Sequence, residues 1–361
     1  MAGAGPVDPV DLVVHLGTGK TGTTVIQQHL RANPGALASA GALFPASPGR
    51  FRHTRFGMYL RPDGELVRSD DWRRKPDRPA PAVFRRRVER QLRAEVAAAG
   101  LPTLLLSDEA LFSSSPAAMD RLREFADGWG RSLRLVVYLR RQDDHLANRY
   151  QQVVKAGGLQ RLDAWAAQDR SSFYDYAGRL ALWQERVGPD HLAVRPFERA
   201  QMRDGSIVTD FLDAAGLSVT EDLTPAQGDA NESVSALAVE MLRVHNLYLV
   251  EHQGARPRLI ANGHRVGRLR RAGIGGPTLT LPDTELDAFM GRWDSGNERV
   301  ARDHLGTSAL FRAPRRSENT TSVQALPPER LPDLFELFEV PAAEQPKVRA
   351  IAEREADAQR R

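Results

Sequence analysis

Residues 12–33 limit the possible folds more than any other part of this chain. Leu12–Leu16 (LVVHL) reads as a short buried strand. It runs directly into Gly17-Thr18-Gly19-Lys20-Thr21-Gly22-Thr23-Thr24, and then into a segment carrying Val25, Ile26 and Leu30 at helical spacing. Asn33-Pro34-Gly35 stops that helix. A strand that enters a helix through a glycine-rich turn presents unpaired backbone N–H groups at the helix N-terminus, where an anion is favoured. Gly17, Gly19 and Gly22 permit the tight path, Thr21, Thr23 and Thr24 add hydroxyls, and Lys20 adds a charge. Phosphate or sulfate is the natural ligand of such a loop.

The pattern downstream predicts an α/β fold, a parallel β-sheet flanked by helices with a helix-rich C-terminal half. Thr103–Ser107 and Leu133–Leu139 are further apolar strands of the kind buried on both faces, and Leu192–Val194 is a fourth short one. Helical spacing covers 82–99, 144–155, 207–215, 233–250, 282–304 and 331–339. Two stretches break the alternation, an irregular Pro-, Gly-, Arg- and Asp-rich excursion at 45–81 and an Arg/Gly-rich loop at 252–281. Both are expected on the substrate side. The expected organisation is one domain over 1–312 and a helical extension over 313–361.

Composition removes several classes of function. The 50 Lys+Arg and 46 Asp+Glu among 361 residues leave a formal charge of +4, too small for a wholly basic nucleic-acid binder. At 41% apolar residues the chain can bury a sizeable core, so it is not disordered as a whole. No apolar run has the length of a membrane span, and no secretory leader is visible, so a cytoplasmic location is expected. With no cysteine, thiolate chemistry is excluded. Only Lys20, Lys75, Lys155 and Lys347 are lysines, which makes 46 of the 50 basic residues arginine. The lysine inside the glycine-rich loop is therefore conspicuous.

The loop is not a nucleoside-triphosphate P-loop. That site needs G-x-x-x-x-G-K-[ST]. Ending the pattern on Gly19-Lys20-Thr21 puts its first glycine at Val14, and starting it at Gly17 puts its lysine at Thr23. The dinucleotide pattern G-x-G-x-x-G matches 17–22, but an interior lysine followed by T-G-T-T is unusual for it. The order HLGTGKTGTT at 15–24 instead resembles the 5′-phosphosulfate loop of sulfotransferases that use 3′-phosphoadenosine 5′-phosphosulfate (PAPS), which reads G-x-x-[KR]-[ST]-G-T-[ST]. The resemblance implies PAPS as co-substrate, bound through Thr18, Gly19, Lys20, Thr21, Gly22, Thr23 and Thr24, with no metal required. In that family a strand ends in an arginine, and a serine eight residues later joins it on the 3′-phosphate. Here Leu133–Leu139 is followed by Arg140, with Arg141 as its rival, while position 148 is Asn148 rather than serine; Tyr150 follows two residues on. RPFERAQ (195–201), NESVS from Asn231 and SGNERVARDHLG (295–306) extend the likeness over roughly 10–312.

Sulfuryl transfer to a hydroxyl needs a proton acceptor. The second strand delivers Asp108-Glu109 at its carboxyl end, and the resemblance makes Glu109 the expected base, with Asp108 the neighbour to tell it from. His53, in the 45–81 excursion, is the rival, because another branch of the family uses histidine. His15 is expected to pack, and His145 to be an exposed helix residue. Tyr174 and Tyr176 could line an acceptor pocket. The basic clusters at 73–75, 85–87 and 268–271 are solvated faces or steering groups for an anionic acceptor. The acceptor is a hydroxyl-bearing small molecule or glycan; nucleic-acid and membrane partners are not expected. Two other functions stay open, a nucleotide kinase or NTPase and a non-catalytic anion- or glycan-binding protein on the same scaffold.

Overall fold

The computed structural model describes residues 8–219, 223–224, 234–315 and 318–360. It contains a five-stranded, wholly parallel sheet in the order β2-β3-β1-β4-β5. The strands are β1 (Val10–His15), β2 (Ala42–Leu43), β3 (Thr103–Ser107), β4 (Gly130–Leu139) and β5 (His191–Pro196). In β1 the side chains alternate between faces, as strand geometry requires. Leu12 and Val14 enter one apolar cluster, with Leu92, Met119, Leu122, Leu180 and Trp183 from the helices Pro81–Ala99, Pro116–Asp127 and Tyr176–Val187. Val13 enters the other, with Ile26 and Leu30 of α1 (Thr23–Ala32) and Phe211 and Leu212 of the helix Ile207–Ala214. The sheet is thus covered on both faces, which is why its strands read as continuous apolar runs.

By contacts the chain divides into two compact units. The first unit, 1–140, 171–230 and 295–313, holds the sheet. The second, 141–170, 231–294 and 314–361, has only helices among its described regular elements apart from the strand pair Thr278–Leu279 and Thr320–Thr321. Its centre is the helix Ala236–Gln253, in which every residue from Val239 to Tyr248 is buried. That helix packs against Gln142–Lys155 and against the C-terminal helix Gln345–Arg360, whose Val348, Ile351 and Ala352 are buried.

Several elements differ from expectation. The excursion at 45–81 is not irregular: it carries the short helices Thr54–Leu60, Asp63–Arg68 and Asp70–Arg73. The 252–281 stretch folds into a 3₁₀ turn and the helix Gly263–Arg271. The helical pattern at 282–304 breaks into Asp283–Gly291, Asp294–Val300 and a last wider turn, Ala301–Leu305. The helices Pro116–Asp127 and Tyr176–Val187 went unanticipated, although Ser115 and Asp175 cap them by accepting from Ala118 N–H and Gly178 N–H. His145 is buried, not exposed. Asn231 lies outside the described residues, and the helix that follows is capped by Ser235.

Candidate functional site

In the strand order β2-β3-β1-β4-β5 the chain moves from β1 outward to one edge, returns to β3, and then continues on the other side of β1. The carboxyl ends of β3, β1 and β4 therefore flank the point where the connections diverge, and ligands bind parallel α/β sheets at such a point. The segments that leave those three ends carry Asp108-Glu109, the 17–24 loop and Arg140.

The loop begins as an extension of the sheet. Leu16 N–H donates to Val136 O at 2.9 Å, Tyr138 N–H to Gly17 O at 2.8 Å, and Thr18 N–H to Tyr138 O at 3.1 Å. Gly17 has φ +92°, and a Cβ there would lie 2.7 Å from Glu109 O. Only glycine lets the loop lie this close to the end of β3. Lys20 follows at φ 66° and Gly22 at φ 73°, the latter as the N-cap of α1. No side chain caps α1 and its first turn carries no acid, so its leading N–H groups face whatever occupies the loop. A Cβ on Gly19 would meet nothing within 4 Å.

The threonines divide into two kinds. Thr18 and Thr21 are buried and hold the loop together, Thr18 Oγ1 donating to Tyr138 O and Thr21 Oγ1 to Thr18 O. Thr23 Oγ1 donates to Glu109 Oε2 at 3.0 Å, and Thr24 is exposed. Arg140 Nη1 donates to Lys20 O at 2.8 Å, and its guanidinium lies 5.5 Å from the centre of the Phe197 ring. Tyr176 Oη donates to Arg140 O, so this tyrosine fixes the arginine's backbone rather than lining a pocket. Burial pulls the Lys20 ammonium below the ordinary lysine range; Glu109 pushes it back up and Arg140 lowers it.

The two carboxylates differ sharply. Asp108 is buried, and that burial raises its pKa against the opposing pull of Arg52 and the Ala110 N–H. Its Oδ1 accepts from Arg52 Nε at 2.7 Å and from Ala110 N–H at 3.0 Å. Glu109 is about one-third exposed, and its Oε1 accepts from Arg52 Nη1 at 3.1 Å. Lys20, Arg52 and Arg140 thus stand against Asp108 and Glu109, three cations to two carboxylates.

His53 has no nitrogen to offer a substrate. Its Nδ1 accepts from Ser107 N–H at 3.1 Å and its Nε2 donates to Pro45 O at 2.9 Å, while its ring stacks on Phe44. It is fully buried, which pulls its pKa down to about 3. His15 packs as expected: Nδ1 lies 2.9 Å from Ser107 Oγ, and burial pulls it down to about 3. Asn148 belongs to the second unit, where its amide donates to Asp144 O one helical turn back. Arg141 pairs with Asp143, and Tyr150 Oη donates to Gln160 O. The basic clusters are partly spent on structure: Arg85 binds Tyr59 O, Arg61 O and Asp63, and Arg268 binds Leu337 O and Glu339. Arg52 is the residue that sequence reasoning missed. Its partners lie 56 and 57 positions away, and its only sequence signal was adjacency to His53.

No protein-family model matches the sequence. An uncharacterized protein of Archaeoglobus fulgidus is 26% identical over 208 residues, which is 58% of this chain and 55% of that protein. The chain thus matches about half the length of that relative. Among solved structures, the chain is similar to a sulfotransferase from Alicyclobacillus acidocaldarius at 14% identity and a TM-score of 0.38, over 68% of this chain and 95% of that one. Among the described residues no helix is long and apolar enough to cross a membrane.

Proposed function

We propose that this protein is a PAPS-dependent sulfotransferase acting on a hydroxyl group of a small molecule or glycan. The observation that carries the reading is the meeting of three features at the carboxyl edge of β1, β3 and β4. These are an uncapped helix N-terminus behind a glycine-rich loop, the cations Lys20 and Arg140, and the one-third-exposed carboxylate of Glu109. The residues fit a phosphosulfate: the loop's open side at Gly19 has no Cβ to fill it, and the local charge is positive.

Bound PAPS would supply a sulfuryl group on a phosphate leaving group. Glu109 takes the proton of the acceptor hydroxyl as the oxygen attacks sulfur. Lys20 meets the charge that grows on the bridging oxygen as the old S–O bond breaks, and its partial burial makes that contact stronger than the same pair in water. Arg140 holds the 3′-phosphate while its own backbone is fixed by Tyr176. Glu109 is favoured over His53 because both His53 nitrogens are engaged by backbone groups.

The test is a screen of hydroxyl acceptors with PAPS in the presence of EDTA, read as formation of 3′-phosphoadenosine 5′-phosphate (PAP) and a sulfate mass shift. Transfer in chelator is expected. Glu109→Gln should lower it about 100-fold or more with PAP affinity retained, and Lys20→Ala should lower turnover more than affinity. Consumption of ATP with Mg²⁺, and none of PAPS, would replace this reading with a phosphoryl-transfer enzyme. PAP binding without turnover of any acceptor would leave a binding protein.

A further inference from the structure

Arg52 is held at three levels. His53, its neighbour, donates its backbone N–H to Ser107 O at 2.9 Å and accepts the Ser107 N–H on its ring. These two bonds clip the chain onto the last residue of β3, one position before the carboxylates. The Arg52 guanidinium then spans both of them, Nε on Asp108 and Nη1 on Glu109. Asp108 is an anchor and not an alternative base: it is buried and faces Gly57, where a Cβ would lie 2.0 Å from Oδ2. Glu109 is gripped from both sides, by Arg52 on Oε1 and by Thr23 of the anion loop on Oε2.

We propose that Arg52, anchored by the buried Asp108, is the positioning residue that aims the Glu109 carboxylate at the 17–24 loop. The proposal rests on the sulfotransferase reading for its consequence in catalysis, but its geometry stands apart from it. An unrestrained glutamate on a half-exposed loop samples several rotamers, and a base loses rate when it is misplaced by as little as an ångström. Arginine suits the task because its fork offers two N–H vectors at a fixed angle, whereas lysine offers a single point charge. Burial works against the Arg52 charge, but Asp108 and Glu109 outweigh it, so the guanidinium is charged throughout the working pH range.

Arg52→Lys keeps the charge and removes the fork. We expect kcat to fall about 10-fold or more, part of the 10²–10⁴-fold that a positioned base supplies, with PAP affinity within about twofold of wild type. In a Glu109→Gln background the same substitution should cost nothing further, because Arg52 acts through Glu109. An equal loss in both backgrounds would overturn the proposal and make Arg52 a purely structural or substrate-binding residue. Crystal structures of wild type and Arg52→Lys give a readout independent of activity: Glu109 should leave Thr23 in the variant. Glu109 unmoved would overturn the proposal even with turnover lost. Absence of transfer by the wild-type protein would instead overturn the sulfotransferase reading and leave the crystallographic test in force. If Arg52→Lys does not fold, Asp108→Asn removes only the anchoring charge and carries the same expectations.

Discussion

Gly17 and Gly19 sit two residues apart in one loop, and the structure gives them opposite tasks. At Gly17 φ is +92°, and an added Cβ would meet Glu109 O at 2.7 Å and Glu109 Cα at 2.8 Å. Both obstacles are backbone, so neither can rotate away. The positive φ costs a residue with a Cβ about 1–2 kcal/mol, and forcing the loop off the end of β3 adds about 1–3 kcal/mol as overpacking does. Gly17→Ala should therefore destabilise by roughly 2–5 kcal/mol. Gly19 has no positive φ, and its Cβ would meet nothing within 4 Å. Gly19→Ala should range from neutral to about 1 kcal/mol stabilising, through the unfolded state. On the proposed function it should nevertheless weaken PAP binding, because the methyl enters the loop's open side. Urea denaturation followed by circular dichroism measures the first pair of effects, and calorimetric titration with PAP the last. Equal stabilities for the two variants, or a Gly17→Ala cost below about 0.5 kcal/mol, would refute the close-approach argument.

Two further predictions concern buried charge. His15 and His53 are neutral in the folded protein down to about pH 3, against an ordinary value of 6.5. Below pH 6.5 the unfolded chain binds protons that the folded chain refuses, so their contribution is complete above 6.5 and is lost progressively toward 3. Each can remove up to about 1.4 kcal/mol per pH unit in that window. Asp108 works the other way, its raised pKa letting the folded chain hold a proton that the unfolded chain releases, so the slope is read in urea unfolding between pH 6.5 and 5.5 in an Asp108→Asn background. A flat profile there would contradict the assigned burial. In the second unit, Arg243 is buried and binds both Glu240 oxygens and Glu355 of the C-terminal helix. Arg243→Met strips the buried Glu240 of its ion partner and leaves Glu355 with Arg354 alone, and should cost about 3–5 kcal/mol. Hydrogen exchange across residues 345–360 should accelerate, and unchanged protection would refute the pinning role.

The strand, glycine turn and helix at 12–33 were legible in sequence because each is governed by near neighbours: apolar run, φ-permissive glycines, helical spacing. The parallel sheet was legible for a related reason, since strands covered on both faces must be largely apolar, as Leu133–Leu139 is apart from Arg134. The short helices at 54–73 and the helix Gly263–Arg271 were hidden by Pro-, Gly- and Arg-rich composition, because tertiary packing, not propensity, holds them. At the site, residue types could be read but not their division of labour. Nothing local marks Thr18 and Thr21 as loop braces and Thr23 as a partner of Glu109, or His53 as a clip on β3. Those roles depend on contacts between residues 54 to 120 positions apart, except for the brace within the loop itself. Arg52 shows the same dependence: it meets Asp108 and Glu109 only because His53 fastens its segment to Ser107 at the end of β3. Local sequence determined which backbone shapes were possible; only the assembled tertiary structure decided which side chains share a charge.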